Sequence, residues 1–371
     1  MSKLVLTEEE TMLADMARGY LDGAAPVSAF RKMRDAGQTH DTKMWKDMAD
    51  MGWAGVLVPE DAGGSDMGFA AANVIAQEMG KTLAVSPFLS TAVIAATALR
   101  QVSDDRAKAA LAKIASGDVT YALATDEGIK HDPDATQMEA RADGNGFRLT
   151  GTKTFVVDGA MADRLLVLAR TAEGLTLFDI PADRAGVTRV QSNMIDARDA
   201  ARIAFEDVEA TGEDVLGQVD HAMDVLRPAL RAGQAALAAE MTGLAAGAFG
   251  MTVDYLKERK QFGTEIGRFQ ALQHRAAHLW SEAEVTASAI LHAGRKLDED
   301  PDNAGLAVSL AKARATATAT LAVQEGVQMH GGIGMTDDYD MGFFMKRARV
   351  AAEWLGDYSY HAEKIAELRG F

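Results

Sequence analysis

The sequence predicts a mostly α-helical protein with a central β-domain. Towards both ends of the chain, apolar residues recur every three or four positions, which is typical of helices with one buried face. From about residue 119 to 218, short β-rich apolar runs alternate with turn residues, and no helical stretch separates them. The predicted organisation is therefore an N-terminal helical domain at 1–118, a β-domain at 119–218 and a C-terminal helical bundle at 219–371.

The N-terminal domain begins with a helix-start signal. Thr7 and Glu10 form a predicted capping box, in which each side chain accepts a hydrogen bond from a free backbone N–H of the first turn. Two later helices are predicted to end near Gly52 and at Gly80, because glycine commonly terminates a helix. Residues 56–60 are predicted to form a short extended run before a turn.

The β-domain is predicted to be small and antiparallel. Residues 143–146 form a predicted turn. The predicted strands lie at 119–125, 147–149, 154–157, 164–168, 175–180, 187–190 and 203–205.

Four long helical patterns follow the β-domain. They lie at about 221–260, 267–299, 306–327 and within 341–368. Long helices in succession predict a four-helix bundle.

Composition and charge exclude several classes of function. The net charge of −16 argues against a nucleic-acid partner. Neither a signal peptide nor an apolar run of membrane-spanning length is predicted, so we expect no membrane partner. The chain has no cysteine, which excludes thiolate metal sites and leads us to expect a cytoplasmic protein. His274, His330 and His361 lack metal-ligand spacing and are predicted to be packed or surface residues.

The most informative stretch runs from residue 255 to 274, where two helical patterns meet. Arg259, Phe262 and Gln270 gather at this junction. An arginine can fork onto a phosphate, and helix N-termini attract anions. The residues alone also allow a simpler interpretation, in which Arg259 ends a helix and pairs with a carboxylate.

The order of these residues resembles a known family. Residues 259–263, R-K-Q-F-G, followed by F-Q at 269–270, resemble the R-x-Q-F-G…F-Q motif of acyl-CoA dehydrogenases. Residues 328–334, Q-M-H-G-G-I-G, resemble that family's Q-x-x-G-G-x-G turn. The resemblance covers essentially the whole chain, and it implies the family architecture of a helical domain, an antiparallel β-domain and a four-helix bundle.

The resemblance implies a FAD cofactor between the β-domain and the bundle, completed by a neighbouring subunit. Arg259 and Gln270 would reach the FAD pyrophosphate and its surroundings, and Phe262 would pack on the adenosine half. Gln328 and Gly332 would approach the same dinucleotide across the dimer interface, where a bare glycine backbone can come close to a phosphate.

Two β-domain residues complete the implied flavin site. Thr125, in a segment similar to the family's V-T-E, would bond the flavin ring; otherwise it is a threonine at a strand end. Phe155 would stack near the isoalloxazine; otherwise it is a core aromatic. The family's next motif, G-S-D, is absent, and residues 128–132 are G-I-K-H-D.

The implied reaction removes two hydrogens from the α and β carbons of an acyl-CoA thioester. A base takes the α-proton while a hydride leaves the β-carbon for the flavin, and electron-transfer flavoprotein is the implied electron acceptor. Leu355 stands where the family usually has its glutamate base, and Gly233 stands at the alternative position. Neither residue can accept a proton.

Several explanations stay open at this stage. Another carboxylate could serve as base, and Glu240 is the candidate, with Glu353 and Asp357 near Leu355. The chain could instead be the base-less half of a heterotetramer with a homologous subunit, as in the bacterial branch of the family that its C-terminal residues resemble. It could also be a catalytically silent structural subunit, a homo-oligomer, or a flavin oxidase or monooxygenase of the same fold.

Overall fold

The protein is described by a computed structural model that covers residues 5–371. The helices are α1 (Glu8–Ala24), α2 (Val27–Asp35), α3 (Thr42–Asp50), α4 (Gly68–Thr82), α5 (Ala96–Arg100, continuing the π-helix Phe88–Ala95), α6 (Asp105–Ala115), α7 (Ala222–Glu258), α8 (Gln270–Glu299), α9 (Gly305–His330), α10 (Met341–Glu353) and α11 (Tyr358–Leu368). The strands are β1 (Tyr121–Ala124), β2 (Glu139–Asp143), β3 (Gly146–Val157), β4 (Arg164–Arg170), β5 (Leu175–Pro181), β6 (Val187–Gln191), β7 (Ala200–Thr211), β8 (Lys260–Gln261) and β9 (Thr264–Glu265). This order of helices, strands and helices confirms the predicted fold class.

Local signals near the N-terminus were predicted with mixed success. The capping box of α1 is present, with the Glu10 amide donating to the Thr7 hydroxyl at 3.1 Å and the Thr7 amide donating to the Glu10 carboxylate at 2.7 Å. The predicted extended run at 56–60 is wrong. The Val56 and Val58 amides donate to carbonyls three residues earlier, so this segment is a series of turns.

The sheet is mixed, so the prediction of a purely antiparallel β-domain is wrong. Its strand order is β1-β4-β2-β3-β7-β6, and β5 pairs with β4. β1 and β4 are parallel, and β2 also meets β4 in parallel at one residue pair. A parallel pair needs a long crossover, and here the β2–β3 hairpin lies within the connection from β1 to β4.

The end of the C-terminal bundle also differs from the prediction. The predicted fourth helix is two shorter helices, α10 and α11, so this part of the described chain holds five helices from α7 onward. Leu355 and Gly356 separate them, with φ values of +57° and +102°. These left-handed residues break the helical hydrogen-bond pattern.

Helix α7 contradicts the expectation that no apolar run reaches membrane-spanning length. Within residues 5–371, α7 alone is long and apolar enough to cross a membrane. However, 67% of its most apolar window is buried inside the protein, as in the core helix of a bundle.

The chain forms two compact units that do not follow the order of the sequence. One unit contains residues 5–35, 69–84 and 234–371. The other contains residues 36–68 and 85–233, and therefore the whole seven-stranded sheet.

Glycines bring α4 and α7 into direct backbone contact within the first unit. A Cβ atom added to Gly243 would collide with the Gln77 carbonyl, and one added to Gly80 would collide with the Glu240 carbonyl. Gly80 lies inside α4 and does not end it as predicted, because its role is this close approach.

Gly243→Ala is therefore expected to lower the free energy of unfolding by at least about 1–3 kcal/mol, because the two helices must move apart. Gly250→Ala is the matched control on the same helix. Its added Cβ would meet no atom within 4 Å, and alanine favours the helix by about 1 kcal/mol over glycine. Urea unfolding of both variants measures the difference, and equal midpoints would contradict the proposed contact.

Candidate functional site

The two motifs of the bundle lie around one small apolar core. Leu256 near the end of α7, Ile266 in the following turn and Met329 near the end of α9 form this core. Tyr255 and Leu272 pack against it. The turn that contains Arg259 and Phe262 and the helix end that carries Gln328 are therefore brought together within one chain.

Arg259 is available for a ligand. It follows the last residue of α7, and its guanidinium makes no ion pair with any residue in 5–371. The nearby Glu265 instead pairs with Lys260 at 3.6 Å and with Arg268 at 2.7 Å. The simpler interpretation, in which Arg259 pairs with a carboxylate, does not describe this structure.

Phe262 projects from the same turn with 90% of its surface exposed. Its φ is +53°, and its ring lies edge-on to Phe269 at 6.1 Å between ring centroids. An aromatic ring this exposed, close in sequence to Arg259, is suited to cover part of a ligand.

The carboxamides and the glycine pair are similarly open. Gln270 begins α8 and Gln328 lies near the end of α9, and neither amide has a protein partner among the described residues. Gly331 has a φ of +66°. A Cβ at Gly331 or Gly332 would meet no other atom within 4 Å, which leaves room for close approach of a ligand to the backbone.

His330 holds the beginning of the glycine turn. The neutral ring can donate from Nδ1 to the Gly326 carbonyl at 2.6 Å and accept at Nε2 from the Tyr339 hydroxyl at 3.0 Å. Tyr255 stacks on the ring at 4.4 Å between centroids. Burial lowers the pKa of His330, which favours this neutral form at physiological pH.

The two β-domain candidates lie in the other unit. Thr125 is buried at the end of β1, where its carbonyl accepts from Lys153 Nζ at 2.9 Å. Phe155 has a φ of +50° and lies in a bulge of β3 between Lys153 and Val156. An aromatic residue in this conformation costs about 1–3 kcal/mol, and such strain is typical of functional sites.

The loop after β1 contains polar contacts that sequence analysis missed. His131 Nδ1 lies 3.0 Å from both carboxylate oxygens of Asp126. Lys153 Nζ donates to the Glu127 carboxylate at 2.7 Å, and burial lowers the pKa of Lys153 to about 8. In the sequence, residues 128–132 depart from the family pattern, and this departure could have indicated that the loop makes different contacts.

The backbone around Leu355 is held firmly although its side chain is inert. Leu355 is 2% exposed and left-handed. Its carbonyl accepts from Gln234 Nε2 at 3.2 Å and from His361 Nε2 at 3.1 Å. These contacts fix the position at which the family resemblance implies a base.

Lys312 supports the same segment from α9. Its fully buried ammonium donates to the carbonyls of Ala351 at 3.1 Å and Gly356 at 3.0 Å. Burial lowers the pKa of Lys312 to about 7. Its helical spacing from the buried Val308 and Ala315 was a signal that sequence analysis passed over.

The three candidate carboxylates all have structural partners. Glu240 is 3% exposed and lies 3.5 Å from the buried Arg347. Glu353 pairs with Arg349 at 2.8 Å, and Asp357 caps the N-terminus of α11. Each of the three carboxylates therefore already has a structural role, as the partner of an arginine or as a helix cap.

Three domain models of one family match this chain. The acyl-CoA dehydrogenase N-terminal domain matches residues 7–118, the middle domain 122–208 and the C-terminal domain 223–368. The chain belongs to the acyl-CoA dehydrogenase family.

Similar proteins include bacterial acyl-CoA dehydrogenases. Acyl-CoA dehydrogenase FadE12 of Mycobacterium tuberculosis is 29% identical over 333 residues, which is 84% of each chain. The structure of a variant of the Tcur3481-Tcur3483 steroid ACAD is 30% identical, with a TM-score of 0.88 over 98% of both chains. The ChsE4-ChsE5 complex of Mycobacterium tuberculosis is 24% identical with a TM-score of 0.92 over 100% of both chains, which is a likeness of fold.

Acyl-CoA dehydrogenases depend on FAD, which confirms the predicted cofactor. The residues of this chain fit a dinucleotide. Arg259 has no ion-pair partner within residues 5–371, and together with the exposed carboxamides and the open glycine pair it suits a diphosphate.

Proposed function

We propose that this chain is the base-less subunit of a hetero-oligomeric, FAD-dependent acyl-CoA dehydrogenase. The observation that carries the proposal is that the apolar Leu355 occupies the expected position of the base. Hydrogen bonds from Gln234 and His361 to its carbonyl fix the backbone there. The pairing of Glu240 with Arg347 supports the proposal, because it gives this buried carboxylate a structural role.

The bundle residues would hold the dinucleotide half of FAD. Arg259 would fork onto the diphosphate, with Gln270 and Gln328 donating from their amides, Gly332 allowing close approach and Phe262 covering the adenosine. Because both motifs surround the same apolar core, we propose that one polypeptide supplies both motifs to one FAD molecule. Across a dimer interface, this block would complete the site of a homologous subunit.

Bound FAD would supply the acceptor for the hydride that leaves the β-carbon of the acyl thioester. Thr125 and Phe155 would orient the ring system from the β-domain. Leu355 offers no acceptor for the α-proton, so the chain's own site cannot complete the reaction. Under this proposal, proton removal takes place in the homologous subunit.

Oligomer formation is supported by exposed apolar side chains on the bundle. Trp280 and Val285 of α8 are 55% and 58% exposed, and Leu310 of α9 is 45% exposed. A subunit interface on this part of the bundle would cover these side chains. The similarity to a steroid acyl-CoA dehydrogenase supports a bulky acyl-CoA substrate, with electron-transfer flavoprotein as the proposed acceptor.

The test is an anaerobic titration with acyl-CoA thioesters, steroidal and linear, followed by flavin absorbance. We expect the chain alone to leave bound flavin oxidised, and the chain co-purified with a homologous acyl-CoA dehydrogenase encoded beside it to bleach. Leu355→Glu restores a carboxylate at the held position and is expected to give bleaching without the partner; Leu355→Gln is the matched control that cannot take the proton.

Three outcomes would contradict the proposal. Bleaching by the unmodified chain alone would mean that another of its residues is the base. Failure to bleach with any partner and in Leu355→Glu would favour a silent structural subunit. Fast oxygen consumption by the reduced flavin would favour an oxidase or monooxygenase.

A further inference from the structure

The segment that follows the glycine turn is held by two arginines from a distant helix. Arg34 of α2 donates from Nη1 and Nη2 to the two carboxylate oxygens of Asp337, at 2.6 and 2.9 Å. Arg31 donates to Asp340 Oδ1 at 2.6 and 3.1 Å, and to the Asp337 carbonyl at 2.7 Å. Paired guanidinium contacts of this kind fix orientation as well as distance.

An aromatic ring joins the two arginines. The ring of Phe343 in α10 lies 4.4 Å from the guanidinium carbon of Arg31 and 4.6 Å from that of Arg34. Phe30 packs edge-on against the same ring at 5.2 Å. We call Arg31, Arg34, Asp337, Asp340 and Phe343 the α2 clasp.

The α2 clasp and His330 hold opposite ends of the Gly331–Met335 turn. His330 fixes the residue before the turn through Gly326 and Tyr339, and the clasp begins two residues after the turn, at Asp337. Between these supports lies the open glycine pair. If a ligand has to order this glycine-rich backbone, the loss of conformational entropy costs about 1–2 kcal/mol of binding free energy per residue.

We propose that Arg31 and Arg34 are positioning residues that order the Gly331–Met335 turn for FAD before FAD binds. This inference rests on the proposed binding of FAD at Gly332 and extends it to a helix that contains none of the family's motif residues. The clasp orders the turn during folding, so FAD binding need not do so. Neither arginine touches the cofactor in this proposal.

The test measures the dissociation constant of FAD by titrating the deflavinated oligomer and following flavin fluorescence. We expect R34A to weaken FAD binding about 5- to 30-fold, the equivalent of ordering about one residue of backbone. Amide hydrogen exchange at 331–336 should be faster in R34A without FAD. R34K keeps the charge but loses the fork, so a smaller weakening is expected, and it serves in place of R34A should that variant not fold.

R184A is the matched control. Arg184 also makes two contacts with one aspartate, Asp214, at 2.8 and 3.0 Å, and its exposure of 25% is close to the 24% of Arg34. We expect R184A to lower the melting temperature comparably and to leave the FAD dissociation constant unchanged.

The outcomes separate this inference from the proposed function. An unmodified oligomer that binds no FAD overturns both. FAD binding that is equally tight in the unmodified protein, R34A and R34K overturns the positioning role alone. Equal weakening in R34A and R184A also overturns it.

Discussion

Arg347→Met is expected to lower the free energy of unfolding by about 3–5 kcal/mol, because it leaves Glu240 buried without its cation. Arg347 is 1% exposed and Glu240 is 3% exposed, so water cannot replace the lost partner. The guanidinium also lies 5.5 Å from the ring of Phe30, so its removal loses packing as well as charge. Urea unfolding followed by tryptophan fluorescence measures the loss.

The neighbouring Arg349 provides the control. It pairs with Glu353 at 2.8 Å, but its side chain is 68% exposed, and exposed pairs contribute about 0–1 kcal/mol. Arg349→Met should therefore be close to neutral. The double variant Arg347→Met, Glu240→Leu should recover much of the stability, since both buried charges are gone. A small loss in Arg347→Met would contradict the buried pair.

Lys312→Met is expected to remove a large pH dependence of stability. The pKa of Lys312 is about 7 in the folded protein, against 10.5 for an exposed lysine. Between these values the unfolded chain binds more protons than the folded protein, so the free energy of unfolding rises with pH by up to about 1.4 kcal/mol per pH unit. Below pH 7 both states carry the charge, and the full cost of burying it is present.

Unfolding at pH 7 and pH 9 measures this effect. The unmodified protein should gain about 2 kcal/mol in free energy of unfolding relative to Lys312→Met over this interval.

Lys312→Met also leaves the carbonyls of Ala351 and Gly356 without this donor, which lowers the free energy of unfolding by about 1–3 kcal/mol for each carbonyl. Asp357 and Glu353 oppose the effect of burial on the pKa of Lys312. Lys364→Met, at a 40% exposed side chain, should follow the unmodified protein. Parallel pH profiles for all three proteins would refute the prediction.

Local patterns carried much of the fold. The capping box at Thr7 and Glu10, the turn between β2 and β3 and the long helical periods all depend on neighbours in sequence, and these were predicted correctly. The parallel pairing of β1 with β4 was missed because strand direction depends on topology and not on the residues of either strand. Gly80 was taken as a helix end because its partner, the Glu240 carbonyl, lies far along the chain.

In the candidate site too, local motifs were predicted and contacts between distant parts of the sequence were not. Family motifs pointed to Arg259, Gln270 and Gln328, and the structure brings their segments around one apolar core. Motifs could not identify the α2 clasp, since the pairing of Arg34 with Asp337 joins residues about 300 positions apart. The choice between such distant partners is made by the packing of whole helices, which periodicity does not encode.

The division of the chain into two compact units has a consequence for its synthesis. The unit that contains residues 5–35 and 69–84 is completed only by residues 234–371, so α1 and α4 leave the ribosome long before their packing partners exist. At about 5–20 residues per second, their apolar faces remain uncovered for tens of seconds. The nascent chain is therefore expected to recruit chaperones, and a gene truncated after the sheet should yield N-terminal helices that aggregate.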